Sequence, residues 1–483
     1  MIRLPDPAGL APAERFGLTV LVDLARLVPV DDPAADVVTL EVVDAADAPL
    51  DLHKSGPRDI LFTPGDGSVR LPRTALRAVT DLAGAGVEQR STARDRYDRV
   101  PASENPLVRA GLERQPHVSQ VAASLRRAVV RAAGRRPVRL VAPWPGGKRW
   151  AAALTHDLDV VAAWPAFTLL RLAELARKGQ MRRGARVVGS AAAAIGHDPV
   201  GRGIAGILET ERSHGVRSTW FVLCGTPTLQ TVWAGDLTYR PESRTARAIL
   251  ETIGGAEGEL ALHGSFETLD RPAVLATQRE RLSRLGGRPV VGVRQHYVRM
   301  RPGATQRAMA SVGFTYDSTF GFPDRNGFRL GVADSVPGWD EQRGEPLPLE
   351  EVPFTWMDRA LSKYRGVEDP AAWVSDGLEL AAAARAVEGL WVGLWHPNLV
   401  PALGYPDAPP AYARLLHGLL AGDPFVAPVH VLARWRRRRR STRILRLAPD
   451  GRAEALVPES GEDPVTLEDA AGRALENIMG ARR

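Results

Sequence analysis

The sequence predicts an α/β protein, a parallel β/α barrel preceded by a smaller α+β unit, on three observations. From Arg149 onward, short apolar runs alternate with helical patterns, the signature of βα units and a parallel sheet. Several of those runs end in Asp, His or Arg, as they would where barrel strands open at their C-terminal rim. Residues 1–143 show neither the alternation nor any cluster of His, Cys or acids at ligand spacing, and are expected as an accessory domain.

At 483 residues, with 44% apolar and 25% charged, the chain can form two or three domains around a large core. A single cysteine, Cys224, excludes an intramolecular disulfide. The opening MIRLPDPAGLAPAERFG is broken by Pro, Asp and Glu, so no signal peptide is expected. No apolar run reaches the length of a transmembrane segment, and a cytoplasmic location is the expectation. The net charge of +7 lies in one run, RWRRRRRSTR, from Arg434 to Arg443, and without it the charges balance. Nucleic-acid binding is therefore not expected of the body. Residues 431–483 are expected as a basic C-terminal tail whose arginines are solvated or contact an anionic surface.

In the accessory unit, residues 17–22 (GLTVLV), 36–43, 59–62 and 68–71 read as strands, and 73–82 and 118–133 as helices, the latter with an i, i+3, i+4 apolar stripe. Residues 135–147, rich in Pro and Gly, read as a linker. The barrel, residues 149–430, has seven expected strands at 151–157, 218–223, 259–263, 290–296, 314–319, 351–356 and 390–396. Helical stretches at 243–252, 272–285 and 371–387 lie between them. A long insertion after the first strand reads as helices at 164–178 and 185–194 followed by a loop at 199–206. It would form a lid or substrate wall, or plain surface decoration.

The first barrel strand carries the sharpest signal. In KRWAAALTHDLDVV, strand period two puts Thr155, Asp157 and Asp159 on one face and His156 and Leu158 on the other. Two carboxylates that close need a cation or a proton between them, unless both merely cap a helix. Later strands deliver possible partners at their ends: His263, then Arg294 with His296, then Asp317, then His396.

The motifs THDLD, STWFVL, LHGSF, GVRQHY, YDSTFGF and LWHP, in this order over residues 149–400, resemble the polysaccharide deacetylase family, also called carbohydrate esterase family four. The resemblance is to a divergent His-Asp-x-Asp branch with an extra N-terminal domain. It implies a distorted (β/α)7 barrel, a divalent metal ion, commonly Zn2+, and hydrolysis of the N-acetyl groups of a sugar or glycan precursor. Carried over by position, Asp157 would be the general base, Arg294 the group that orients and charges it, and His396 the general acid for the leaving amine. Asp159 and His263 would be metal ligands. The family's His-x-x-x-His motif is broken here, because Glu267 stands fourth after His263. Either Glu267 or His296 would complete the site. His296 is preferred, since Gly292, Arg294 and His296 alternate on one strand face. Tyr297 and Asp317, in the same motifs, are expected to contact substrate. Amide hydrolysis needs an activated water, a stabiliser for the oxyanion and a proton for the departing nitrogen, and this set of residues could supply all three. Two other readings stay open: a barrel that has lost activity and binds glycan, and a hydrolase of non-peptide C–N bonds in a non-sugar substrate.

Overall fold

The computed structural model describes residues 1–44, 63–163, 166–177, 179–193, 198–229, 231, 236, 239–447, 453–458 and 463–478. The N-terminal residues form a four-stranded sheet of β1 (Ile2–Arg3), β2 (Val38–Val43), β3 (Thr63–Pro64) and β4 (Ser68–Pro72), in the order β1–β2–β4–β3. Helices Pro12–Leu24, Arg73–Ala83 and His117–Ala133 share one apolar cluster with it. Residues 17–22, expected as a strand, lie inside the first of these helices. An apolar run buried on almost every side carries no period that separates helix from strand. Gly17 sets the packing, because a Cβ there would meet the Leu76 carbonyl oxygen at 2.0 Å. The strand expected at 59–62 lies outside the described residues. The segment expected as a linker is also built in: it carries β5 (Leu140–Val141) and the fully buried Trp144.

The barrel strands are β6 (Ala151–Leu158), β7 (Thr219–Leu223), β8 (Glu259–Gly264), β9 (Gly292–Gln295), β10 (Tyr316–Asp317), β12 (Glu345–Glu351) continuing into β13 (Trp356–Met357), and β14 (Leu390–Leu394). Every contact around this path is parallel. The stretch between β12 and β13 closes the ring. Val352 and Phe354 donate backbone bonds to Asp317 and Phe320 (2.8 and 2.9 Å), while Thr355 donates to Val392 on the other side (2.9 Å). The result is a distorted (β/α)7 barrel, with β11 (Val336–Asp340) added antiparallel to β12 on the outside. The strand expected at 351–356 is the junction of this longer segment.

Small and large side chains alternate inside the barrel: Ala151, Ala153 and Ala261 beside Phe221 and Tyr316. Their neighbours Trp220, Val222 and Leu262 face the helices outside. Period two along β6 therefore carries Asp157 to the top of the interior and turns His156 outward, where its Nε2 meets Glu211 at 2.8 Å. In the insertion, helices Ala166–Arg177 and Met181–Ala193 precede a third, Pro199–Ser213, where a loop was expected. Asp198, which accepts from the Val200 N–H at 2.9 Å, and Pro199 at the first position make it a helix start instead.

The basic run is not a tail. After β15 (Phe425–Val426), residues Val429–Ser441 form a helix, followed by the hairpin β16 (Arg443–Leu447) and β17 (Ala453–Leu456). Next come β18 (Val465–Glu468), which pairs with β5, and β19 (Ala474–Ile478), which pairs with β18. Arg436, Arg438 and Arg439 are buried. Arg436 binds Asp23 (3.0 Å) and Asp334 (2.5 Å), Arg439 binds Asp23 (3.1 Å), and Arg440 binds Asp23 (2.8 Å) and Glu350 (2.6 Å). Sequence adjacency hid these acids, which come from the N-terminal unit and the barrel. Guanidinium is the cation best suited to such multidentate burial. Among the described residues, no helix is long and apolar enough to cross a membrane.

Candidate active site

The carboxyl rim of the barrel opens into a cavity of about 640 Å3 that Asp157, Asp159, His263, Arg294, His296 and His396 all line. Parallel register brings them level: His263 pairs with Arg294 across β8–β9, and Leu394 with Thr155 across β14–β6.

Arg294 is fixed from all sides. Its Nη1 donates to Asp157 Oδ1 (2.8 Å) and Thr155 Oγ1 (3.0 Å), its Nε to the Ser318 carbonyl (2.9 Å), and its Nη2 to Ser318 Oγ (2.8 Å). The guanidinium also lies 4.0 Å from the centre of the Phe221 ring. Burial would raise the Asp157 carboxyl, but the positive groups at His263, Arg294 and His396 outweigh it and hold it below the usual carboxylate range.

Asp159, His263 and His296 offer one donor atom each, all within 4.8 Å of one another. Both imidazoles are oriented from behind. His263 Nδ1–H donates to the Arg294 carbonyl at 2.9 Å, and His296 Nδ1–H donates to Asp236. Each ring therefore turns Nε2 toward Asp159 Oδ1, at 3.4 Å from His263 and 3.5 Å from His296. Asp236 is itself held, accepting the Phe266 N–H at 2.7 Å. Two imidazole nitrogens and a carboxylate, with the rings anchored by outer hydrogen bonds, form a donor set that suits a divalent ion such as zinc. Burial raises the Asp159 carboxyl, while His296, His263 and His396 together push it far below its ordinary value.

His396 stands across from this set, its Nε2 3.7 Å from Asp159 Oδ2. Its Nδ1–H and its backbone N–H both donate to Asp358, each at 2.6 Å. Burial would lower the imidazole's proton affinity; Asp358 and Asp159 more than reverse that and raise it.

Tyr297 lines the cavity in the left-handed region (φ 60°), on the turn that follows β9. Its ring stacks on His296 (centroids 3.9 Å apart) and on Tyr97 of the N-terminal unit (5.0 Å), and its carbonyl accepts from Arg99 Nη1 at 2.7 Å. Arg99 and Tyr97, from the N-terminal part of the chain, thus border the site. Asp317 does not line the cavity. It is fully buried, accepts from the backbone and hydroxyl of Thr319, and pairs across the ladder with Glu351, so a substrate contact there is not what its position offers. Glu267 stands apart from the donor set, accepting from Thr228 Oγ1 at 2.9 Å.

Sequence reasoning missed Asp236 and Asp358. The signal at Asp358 was an acid directly after a strand, the same pattern that marked Asp157. Asp236 lies between strands with no period to point to it.

Fold and site define a β/α-barrel protein with a His–His–carboxylate cluster at its carboxyl rim. No family model matches the chain, and no curated protein matches it. Among solved structures, the chain is similar to a protein from Mycobacterium smegmatis assigned to the polysaccharide deacetylases. The two are 23% identical with a TM-score of 0.42, covering 63% of this chain and 96% of that one. A Pseudomonas aeruginosa PAO1 protein assigned to the same class is similar at 16% identity and a TM-score of 0.40, covering 62% and 95%. PuuE allantoinase is similar at 15% identity and a TM-score of 0.40, covering 62% and 94%. Likeness at this level leaves activity and substrate to be argued from this chain's own residues.

Proposed function

We propose that the chain is a metal-dependent hydrolase that removes N-acetyl groups from a sugar or glycan precursor. One observation carries the reading: an arginine-held carboxylate, an Asp159–His263–His296 donor set and a carboxylate-held histidine converge on one cavity. Asp159, His263 and His296 would hold the ion, and a divalent ion there would act as a Lewis acid toward the scissile carbonyl. Asp157, kept ionised and immobile by Arg294, accepts a proton from the attacking water. Asp358 and Asp159 raise the proton affinity of His396, so that its imidazolium form holds a second proton at Nε2 beside the Nδ1–H given to Asp358, and it delivers that Nε2 proton to the departing nitrogen. Tyr297 borders the sugar.

The test is metal content and acetate release by protein purified without added metal, before and after chelation, on a panel of N-acetylated sugars. The expected result is about one divalent ion per chain and release of acetate that chelation abolishes and re-addition restores. Bound metal with no turnover on any acetylated sugar would favour a glycan-binding barrel. Turnover confined to cyclic or linear non-sugar amides would move the substrate to that class.

A further inference from the structure

Among the described residues, seven Lys or Arg and five Asp or Glu side chains line the active-site cavity. On the floor, Asp157 is matched by Arg294, Asp236 by His296, and Asp159 by the histidines around it. Among the described residues, the walls then hold six cations, Arg99, Arg171, Arg183, Arg359, Lys363 and Arg365, against the two carboxylates of Glu174 and Glu368. Arg171 takes Glu174 (2.6 Å) and Arg183 takes Glu368 (3.0 Å), while Arg99 pairs with Asp95 (2.6 Å).

Arg359 differs from these. Its Nη1 donates to Tyr405 Oη (3.1 Å) and its Nη2 to Asn398 Oδ1 (2.7 Å), both neutral. Among the described residues it has no ion pair. Burial would lower its proton affinity, but Tyr405, Asp358 and Asp159 raise it, so it is charged. A guanidinium carries five N–H donors, and two are used here. Arg365, close by, is exposed and has neither an ion pair nor a side-chain hydrogen bond among the described residues. The backbone between them is unusual. Residues Ala360–Tyr364 form one π-helical turn, a rare geometry that recurs at functional sites. Ser362, Lys363 and Tyr364 of that turn line the cavity together with Arg359 and Arg365. A neutral glycan offers this guanidinium no direct ion pair, whereas an anionic oxygen group matches a planar fork of unused donors.

We propose that the substrate is an N-acetylated sugar bearing a phosphate or a carboxylate, which Arg359 and Arg365 recognise. The acetyl half of this statement rests on the function proposed above; the anionic half does not.

The test compares three probes on the metal-loaded full chain: N-acetylglucosamine, N-acetylglucosamine 1-phosphate and 2-acetamido-2-deoxyglucuronic acid. Binding is measured by calorimetry and turnover by acetate release, with wild type, Arg359→Gln and Arg365→Gln. At least one charged probe is expected to bind about tenfold or more tighter than the neutral sugar, the worth of one charge-assisted hydrogen bond. That preference should shrink about tenfold in Arg359→Gln, less in Arg365→Gln, and fall as salt is raised. Whichever charged probe shows it identifies the anion. Equal binding of all three, or an equal loss for charged and neutral probes in both variants, overturns the proposal even if acetate is released. Selective anion binding through these arginines with no acetate from any probe supports it and instead sinks the deacetylase reading. If Arg359→Gln does not fold, the exposed Arg365→Gln carries the comparison.

Discussion

Asp157→Asn separates the charge of this residue from its role as a hydrogen-bond acceptor. Asp157 is 5% exposed, and the Arg294 guanidinium it receives at 2.8 Å is 1% exposed. An amide of the same volume keeps an oxygen for that donor but removes the counter-charge. Arg294 retains its bonds to Thr155 and to both oxygens of Ser318. Cutting away one partner of a buried ion pair costs about 3–5 kcal/mol. With the acceptor kept, the loss is expected nearer about 1–3 kcal/mol, the range for an impaired bond to a charged group. The catalytic effect is separate. Removing a proton acceptor slows turnover about 10²–10⁴-fold, or about 3–5 kcal/mol in the barrier. The variant should therefore melt at lower urea than wild type, stay folded at 25 °C, keep its metal and hydrolyse N-acetylated sugars at least about 10²-fold more slowly. Urea denaturation, metal analysis and acetate release at saturating substrate test these in turn. Full activity would refute the proton-acceptor role, and loss of metal would refute the separation of base from ligand.

Metal analysis should show His296→Ala depleted and Glu267→Ala loaded like wild type, since of these two it is His296 that turns a donor atom toward Asp159, while Glu267 accepts from Thr228; the reverse order would move the third ligand to Glu267. Asp317→Asn should change how stability depends on pH. Burial pushes the Asp317 carboxyl up from 3.8 to about 6, so the folded chain holds that proton more tightly than the unfolded chain does. The stabilising protonated form is complete below pH 3.8 and is lost as pH rises toward 6. The variant should therefore gain on wild type as pH rises across that interval in urea titrations at each pH, and a constant difference would refute the assignment. Asp23→Ala should cost about 3–5 kcal/mol, because Arg436, Arg439 and Arg440 all converge on that carboxylate. Wild-type stability in that variant would mean that the three guanidinium groups do not depend on Asp23.

The barrel was legible because a parallel strand is buried on both faces and reads as a bare apolar run, so an abrupt Asp, His or Arg stands out at its end. The runs at 151–157, 259–263 and 390–396 correspond to β6, β8 and β14 within a residue or two. Period two also placed Asp157 and His156 on opposite faces, as the interior cavity and the Glu211 contact now show. Local chemistry could decide these points because backbone geometry alone sets which way a strand side chain faces. Where burial surrounded an element, the period vanished, and residues 17–22 read as strand although they are helix. Asp236 and Asp358 could be matched to their histidines only once the chain had folded, being 60 and 38 residues away from them in sequence. The arginines of residues 434–443 carried the same ambiguity. Charge in a sequence states how much field must be compensated, not where the compensation comes from. Asp23, Asp334 and Glu350 reach that helix only through tertiary contact, and it is this proximity in a desolvated interior that turns an apparent basic tail into the joint between the N-terminal unit and the barrel.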